Sequence, residues 1–169
     1  MVSSEKTPLE MSSALQHDGT LLKFLESVKD FALNILETWD IETLRESETT
    51  SAENETSVIL RGKVDGSGFI LTGDAGIGSL NRAIDYMEKN WRKHCRGYSF
   101  YQVPHHGGRH NVSPSVLNRM LGEKIEKGSS RNKVAFASVA QNSSHPLKMV
   151  TNAYIRRGVT IYKTNGNVI

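Results

Sequence analysis

Two groups of side chains in this sequence are of the kinds that hydrolytic metal sites use, and each follows an apolar run. Asp74 ends the run of residues 69–74, and the pair His105–His106 ends a second run that begins at residue 98. A carboxylate or imidazole just past a buried strand has a fixed backbone and a side chain that can reach an ion. The ordinary interpretation stands beside this one: Asp74 caps the following turn, and the histidines hydrogen-bond within their loop.

A further candidate, His145, precedes Pro146 after the apolar run of residues 134–139. It is either a site residue or a bystander to helix capping by Ser143 or Ser144. Of the remaining histidines, His110 is predicted to be a loop residue, and His17 and His94 carry no signal of function. A carboxylate at a strand end can bridge two ions about 3.5–4 Å apart, and neutral imidazole suits zinc or manganese.

The composition predicts a single domain of ordinary size. The 169 residues are 37% hydrophobic and 7% aromatic, so part of the chain is expected to be solvated or to depend on a partner. Its 21 basic and 18 acidic residues give a net charge of +3, which argues only weakly for a polyanionic partner.

One cysteine, Cys95, excludes an internal disulfide and is interpreted as structural. No stretch reaches the length of a transmembrane helix, and the N-terminus lacks the basic-then-apolar order of a signal peptide. We therefore expect a cytoplasmic protein with no membrane segment, whose oligomeric state stays open.

The N-terminal part is predicted to be a helical arm with polar flanks. Residues 1–18 are polar and Ser-rich and are expected to be mobile. Residues 19–46 are predicted to form an amphipathic helix that packs on the body or docks a partner or a second copy. Its apolar stripe is Leu21, Phe24, Leu25, Val28, Phe31, Ala32, Ile35 and Trp39. Residues 47–56 lack apolar periodicity and are predicted to form a polar loop.

From residue 57 onward, short apolar runs alternate with segments of helical periodicity. Asp65 and Gly66 tolerate positive φ and predict a hairpin turn. Ser113 before a proline marks a helix start, and Gly158 marks a helix end. The alternation predicts an α/β body with one mixed sheet and its helices on one main face. Strands are expected near residues 58–64, 68–72, 98–103, 133–139 and 159–163, and helices near residues 79–94, 114–122 and 147–157.

The motifs occur in the order found in a known family. The hairpin ending at Asp74 is similar to a strand pair that ends in a bridging metal aspartate. Residues 103–108 are similar to a Val-Pro-His-His-Gly-Ser loop, and residues 141–146 to an Asn…His-Pro segment. Together, residues 57–166 resemble the C-terminal half of the metallo-β-lactamase fold, in the branch typified by the hydrolase domain of the DNA-uptake competence membrane protein.

The resemblance implies half of an αββα sandwich over residues 57–169, preceded by the N-terminal amphipathic helix. It implies Asp74 as a bridging metal ligand and one histidine of the pair, with His105 favoured over His106, as a terminal ligand. His106 and His145 would then face the substrate, with His145 donating to a phosphate oxygen. The implied cofactor is a divalent metal, Zn or Mn, with two ions in the complete protein.

Two departures from the family pattern bear on function. The motif His-x-His-x-Asp-His, which supplies most of the metal ligands, is absent from this sequence, and Gly108 replaces the usual Ser. One aspartate and two histidines cannot complete a di-metal site.

We therefore expect the C-terminal portion of a metal-dependent hydrolase that acts on phosphodiesters such as nucleic acid. It would be inactive alone and completed by a missing N-terminal half or a complementary chain. The alternative is a degenerate, non-catalytic module of the same fold that acts in binding or assembly.

Overall fold

The computed structural model of the protein describes residues 20–29, 32, 37–91 and 95–164. The chain divides into two units, Met1–Leu36 and Glu37–Ile169. In the first unit, residues 20–29 are helical and expose their apolar side chains: Leu21, Leu22, Phe24, Leu25 and Val28. The segment predicted to be mobile, residues 1–18, lies outside the described residues. Every helix among the described residues is too short or too polar to span a bilayer.

Residues 37–46 are not helical, so the helix predicted over residues 19–46 does not reach its predicted end. The buried guanidinium of Arg156 uses the carbonyls that a helix would need. Its Nε donates to the carbonyl oxygen of Trp39, and its Nη2 donates to that of Ile41, both at 2.8 Å. The apolar pattern could not reveal this competition, because Arg156 lies 115 residues beyond Ile41 in the sequence.

The second unit contains an α/β body. Its elements in chain order are α1 Ala52–Glu55, β1 Leu60–Val64, β2 Ser67–Leu71, α2 Ile77–Trp91, β3 Phe100–Gln102, α3 Pro114–Leu121, β4 Lys133–Ala137, α4 Lys148–Arg156 and β5 Val159–Lys163. Short 3₁₀ turns at Cys95–Gly97, Pro104–Gly107 and Arg109–Asn111 lie in the connections. The segment predicted as a polar loop, residues 47–56, thus includes one helical turn.

Backbone geometry explains several of the element boundaries. Asp65 and Gly66 have φ of 47° and 81° and form the two-residue turn between β1 and β2. The hydroxyl of Ser113 accepts a hydrogen bond from the backbone N–H of Val116 at 3.3 Å and caps α3. Gly158, with φ of 72°, follows the end of α4. These predicted turns and caps are confirmed.

The described strands form one mixed sheet in the order β1-β2-β3-β4-β5. β1 is antiparallel to β2, whereas β2, β3, β4 and β5 run parallel to one another. Right-handed crossovers that all step in the same direction place their helices on the same face. The contacts of α2 with α3 and of α3 with α4 agree with such a layer. The predicted α/β class with a mixed sheet is confirmed, and the half-sandwich assignment stays a prediction.

The core lies between the helices and one face of the sheet. Alternate strand residues are buried on that face: Ile70, Tyr101, Ala135, Val159 and Ile161. Lys133 ties the sheet to α3, because its ammonium donates to the carbonyl oxygens of Leu121 at 2.8 Å and Arg96 at 2.6 Å. The bond to Leu121 gives a partner to a carbonyl oxygen at the C-terminal end of α3, where the last carbonyls of a helix have no partner within the helix.

The opposite face of the sheet, which we call the open face, is uncharged. Strand register places on it Leu60, Gly62, Val64, Ser67, Phe69, Leu71, Phe100, Gln102, Val134, Phe136, Thr160 and Tyr162. Leu60, Val64 and Phe100 are 55%, 63% and 36% exposed. An apolar sheet face in contact with water is unfavourable and usually marks a surface that another layer covers.

Candidate functional site

The carboxyl ends of three neighbouring parallel strands lead into the candidate residues. Asp74 follows β2, His105 follows β3 and His145 follows β4. Parallel strands end at the same edge of a sheet, which is where ligand sites of open α/β sheets lie. The predicted site residues are far apart in sequence, and their loops share this edge.

Gln102, the last residue of β3, links the first two of these loops. Its side-chain oxygen accepts hydrogen bonds from the backbone N–H groups of Thr72 at 3.0 Å and Gly73 at 3.1 Å. The N–H of His105 in turn donates to the carbonyl oxygen of Gly73 at 3.1 Å. The turn before Asp74 is therefore held directly against the histidine loop. The sequence offered one signal for Gln102, namely a polar residue within an apolar strand.

The histidine pair has an unusual backbone conformation. His105 and His106 have φ of 45° and 59°, and Gly107 follows with φ of 91°. Such left-handed conformations of non-glycine residues cost roughly 1–3 kcal/mol each and persist where the surroundings impose them. Here the N–H of Gly108 donates to the carbonyl oxygen of His105 at 3.0 Å, and the N–H of Leu147 donates to that of Gly107 at 3.2 Å. The loop after β4 thus helps to hold the histidine loop in place.

The imidazole of His105 is held at its Nδ1 atom. Nδ1 lies 3.0 Å from the side-chain oxygen of Asn111 and 3.3 Å from Nδ2 of Asn54 in α1. Asn111 also donates through Nδ2 to the backbone carbonyl oxygen of Asp74 at 2.9 Å. One buried amide therefore connects the backbone at Asp74 to the ring of His105.

The exposed ring of His106 is also held at Nδ1, which donates to the backbone carbonyl oxygen of Ser138, just past β4. A carbonyl can only accept, so the proton is on Nδ1 and Nε2 carries the lone pair. The ring centroids of His105 and His106 are 5.7 Å apart with an interplanar angle of 49°. The contact with Ser138 brings the loops after β3 and β4 together.

His145 lies close enough to the histidine pair to respond to its charge. Burial lowers the pKa of His145 below its usual 6.5, and the charges of His105 and His106 lower it further. The ring is therefore neutral at neutral pH. The hydroxyl of Ser143 accepts from the backbone N–H of His145 at 3.1 Å, whereas the N-cap of α4 is Leu147, which makes no side-chain capping bond. Ser143 thus holds the loop that carries His145 and does not cap α4.

Asp74 does not cap the turn that follows it. Among the described residues, its partly exposed carboxylate makes no hydrogen bond and no ion pair. The first turn of α2 is capped instead by Glu55, whose carboxylate accepts from the N–H of Ser79 at 2.8 Å and from its hydroxyl at 2.7 Å. These bonds, and that from Arg82, lower the pKa of Glu55. The Asp74 carboxylate is left available for a ligand.

Glu55 also explains how α1 reaches the site. Its bonds to Ser79 anchor α1 against the start of α2, and Gly76 leaves room for it, since a Cβ there would lie 2.1 Å from the Glu55 carboxylate. Asn54, the preceding residue, is thereby placed beside His105. No local sequence pattern indicates the bond between Glu55 and Ser79, because the two residues are 24 positions apart.

His110, predicted to be a loop residue, lies in the turn Arg109–Asn111 and is confirmed as such. Its Nδ1 is 2.9 Å from the carboxylate of Glu48. The ring of this histidine therefore contacts Glu48.

The donor types at this edge fit a metal, whereas their number falls short of a complete site. Metal-bound histidines usually donate one ring N–H to an oxygen and use the other nitrogen as ligand, which is the arrangement of His106 here. Among the described residues, no group of three or more His, Cys, Asp or Glu side chains is arranged to hold an ion. Metal ligation by Asp74, His105 and His106 stays a prediction.

Comparison of the chain with models of protein families, with characterised proteins and with solved structures gave no match.

Proposed function

We propose that this chain is the C-terminal portion of a metal-dependent hydrolase that cleaves phosphodiesters, with the rest of the metal site supplied by a missing N-terminal half or a complementary chain. The observation that carries the proposal is the shared sheet edge. Asp74, whose carboxylate has no partner among the described residues, follows one parallel strand there, and the histidines follow the neighbouring strands. The resemblance of residues 57–166 to the metallo-β-lactamase fold adds the reaction class.

Asp74, His105 and His106 would hold the divalent ion, Zn or Mn. The carboxylate of Asp74 can bridge two ions, and the imidazoles supply neutral nitrogen ligands. A bound ion of this kind lowers the pKa of its water and polarises a phosphoryl oxygen. The ligands in this chain are too few to direct that water, so the proposal requires further carboxylate and histidine ligands from the partner.

His145 would bind the substrate phosphate, and His106 would face the substrate or complete the metal ligands. His106 is exposed at the edge of the site, and its donation to Ser138 leaves Nε2 for a ligand or substrate. His145 has a lowered pKa and is neutral, so one ring nitrogen can donate to a phosphate oxygen without the cost of burying a charge.

The open face supports the requirement for a partner. It is uncharged, partly exposed and continuous across all five described strands. A second sheet packed on it would bury apolar side chains and complete a layered α/β structure. Such a partner would also approach the sheet edge that carries Asp74 and the histidines.

A second candidate function is a degenerate, non-catalytic module that acts in binding or assembly. The observation in its favour is that the described residues contain no group of three or more metal-ligating side chains. In that case the open face would still bind a partner, and Asp74 would have no effect on any activity.

Reconstitution tests the hydrolase proposal. We would measure hydrolysis of bis-p-nitrophenyl phosphate and of single-stranded DNA with Mn²⁺ or Zn²⁺, for the lone chain and after addition of a complementary N-terminal half that carries the motif His-x-His-x-Asp-His. We expect little or no turnover by the lone chain and clear turnover by the complex. Asp74→Ala and His105→Ala should each lower kcat by a factor of about 100 or more, because the ion loses a ligand.

His110→Ala is the matched control, because this nearby histidine pairs with Glu48. Its complex should retain activity. A complex that assembles but remains inactive with both metals would favour the binding module. Strong activity of the lone chain would overturn the requirement for a partner.

A further inference from the structure

Asn111 is a buried polar residue within the candidate site. It ends the turn Arg109–Asn111 and is 1% exposed. A buried amide costs stability unless its donors and acceptor are bonded, so the partners of this side chain define how it must be oriented.

The donor end of the amide faces two backbone carbonyl oxygens. Nδ2 lies 2.9 Å from the oxygen of Asp74 and 3.3 Å from that of Ala75. Both oxygens can only accept, so the NH₂ group must be on this side and the amide cannot be flipped. Its oxygen therefore faces Nδ1 of His105, 3.0 Å away, and the shared hydrogen must come from the histidine.

Asn54 does not compete for this ring nitrogen. Its Nδ2 lies 3.3 Å from Nδ1 of His105 but 2.7 Å from the hydroxyl oxygen of Thr50. The bond to Thr50 uses one of the two N–H groups of this amide. With a proton already on Nδ1, the ring offers no lone pair there for a second donor.

We propose that Asn111 is a positioning residue that fixes His105 in its Nδ1–H tautomer, with the lone pair on Nε2, and keeps the ring in register with the Asp74 turn. The tautomer itself does not depend on any activity. Its significance for catalysis rests on the proposed function, since the lone pair on Nε2 is what a metal or a substrate proton would use.

The tautomer can be measured directly by long-range ¹H–¹⁵N correlation spectra of the histidine rings in the metal-free chain, recorded at about pH 8. We expect His105 to show a protonated Nδ1 and an unprotonated Nε2. In Asn111→Leu the oxygen acceptor is lost, and the Nε2–H form should rise from under about a tenth to more than about half of the population.

Asn111→Asp keeps an oxygen facing Nδ1 of His105 and should keep the Nδ1–H form, whereas its second oxygen cannot donate to the carbonyl oxygens of Asp74 and Ala75, so its stability should fall. Asn118→Leu is the control for general loss of stability. Asn118 lies in α3, and its side-chain oxygen accepts a hydrogen bond from Nε of Arg157 at 2.7 Å instead of from His105. Its His105 spectrum should match that of the wild-type chain. With the complementary chain added, Zn²⁺ binding by calorimetry should weaken about tenfold or more in Asn111→Leu relative to Asn118→Leu.

A wild-type His105 with its proton on Nε2 would overturn the proposal even if Asn111→Leu fails to fold. An unchanged Nδ1–H form in folded Asn111→Leu would do the same. If the tautomer changes as expected while no variant, including the wild type, binds Zn²⁺ even with the complementary chain added, Asn111 retains its positioning role and the metal-dependent function is what fails.

Discussion

At the scale of single residues, Gly107 controls how the histidine loop meets the loop that carries His145. Residues that carry a side chain rarely adopt its φ of 91°. A Cβ at this position would lie 2.3 Å from Cβ and 2.8 Å from Cα of Pro146. The backbone of Pro146 cannot move aside without moving His145. The absence of a side chain at Gly107 is thus a structural requirement of the site.

Gly107→Ala should therefore destabilise the protein by about 2 kcal/mol or more, since both the backbone conformation and the contact become unfavourable. The measurement is the free energy of unfolding in urea. Gly108→Ala is the matched control: its φ is −69°, and the nearest atom to a new Cβ is the side-chain oxygen of Asn111 at 3.3 Å. Equal losses for the two variants would contradict this explanation.

At the scale of elements, the segment that precedes α1 is attached to the body by buried ion pairs. Arg157, whose side chain is fully buried, donates to the carboxylate of Glu42 at 2.7 Å, and Lys124 approaches the same carboxylate at 2.7 Å. Arg156 similarly pairs with Glu37 and binds the carbonyls of residues 39 and 41. These contacts explain why the segment is not a helix.

The pKa of Glu42 reports on this attachment. Burial by itself would raise it, but the hydrogen bonds and charges of Arg157 and Lys124 lower it below its usual 4.5. A carboxylate with a lower pKa in the folded state stabilises the fold above its unfolded-state pKa. That contribution is lost as the pH falls through the folded-state value. Glu42 should therefore make the protein sensitive to acid below about pH 4.5.

Glu42→Gln should lower the free energy of unfolding at about pH 7 by roughly 1–3 kcal/mol, because Arg157 stays buried without its counterion. It should also flatten the decline of stability between about pH 5 and about pH 3. Urea unfolding across this range measures both effects. Asp40→Asn, at an exposed carboxylate in the same segment, should change neither. An unaltered acid profile in Glu42→Gln would count against the assignment.

At the scale of the whole molecule, the second unit buries one face of its sheet under helices and leaves the open face only partly covered. Phe100 lies in β3, at the centre of the sheet, and is 36% exposed. A partner sheet packed on this face would bury the Phe100 ring, whereas a lysine there would place an unpaired charge in the interface.

Phe100→Lys should leave the fold intact and weaken binding of the complementary chain about tenfold or more, because apolar burial is lost and a charge must be desolvated. Isothermal titration with the complementary N-terminal half measures the affinity, and circular dichroism checks the fold. Tyr86→Lys, at an exposed aromatic in α2, is the control and should bind normally. Undiminished affinity of Phe100→Lys would place the interface elsewhere.

The sequence by itself determined the local features of this protein. The turn at Asp65 and Gly66, the cap at Ser113 and the alternation of strands with helices all depend on residues a few positions apart, which short-range periodicity and propensity can detect. The same local reasoning selected Asp74, His105 and His145, because each is a chemically reactive type in a loop that follows a strand.

Only the tertiary structure decided which of these residues share an edge and what holds them. The order of the strands placed the three loops together. Gln102 and Asn111 join the Asp74 turn to the loop of His105, and the bond from Leu147 to Gly107 joins that loop to the one after β4. The helix predicted over residues 19–46 failed beyond residue 36 for the same reason, since Arg156 binds its carbonyls from the far end of the chain. Long-range polar contacts leave no periodic trace in a sequence, because one donor and one acceptor suffice for each.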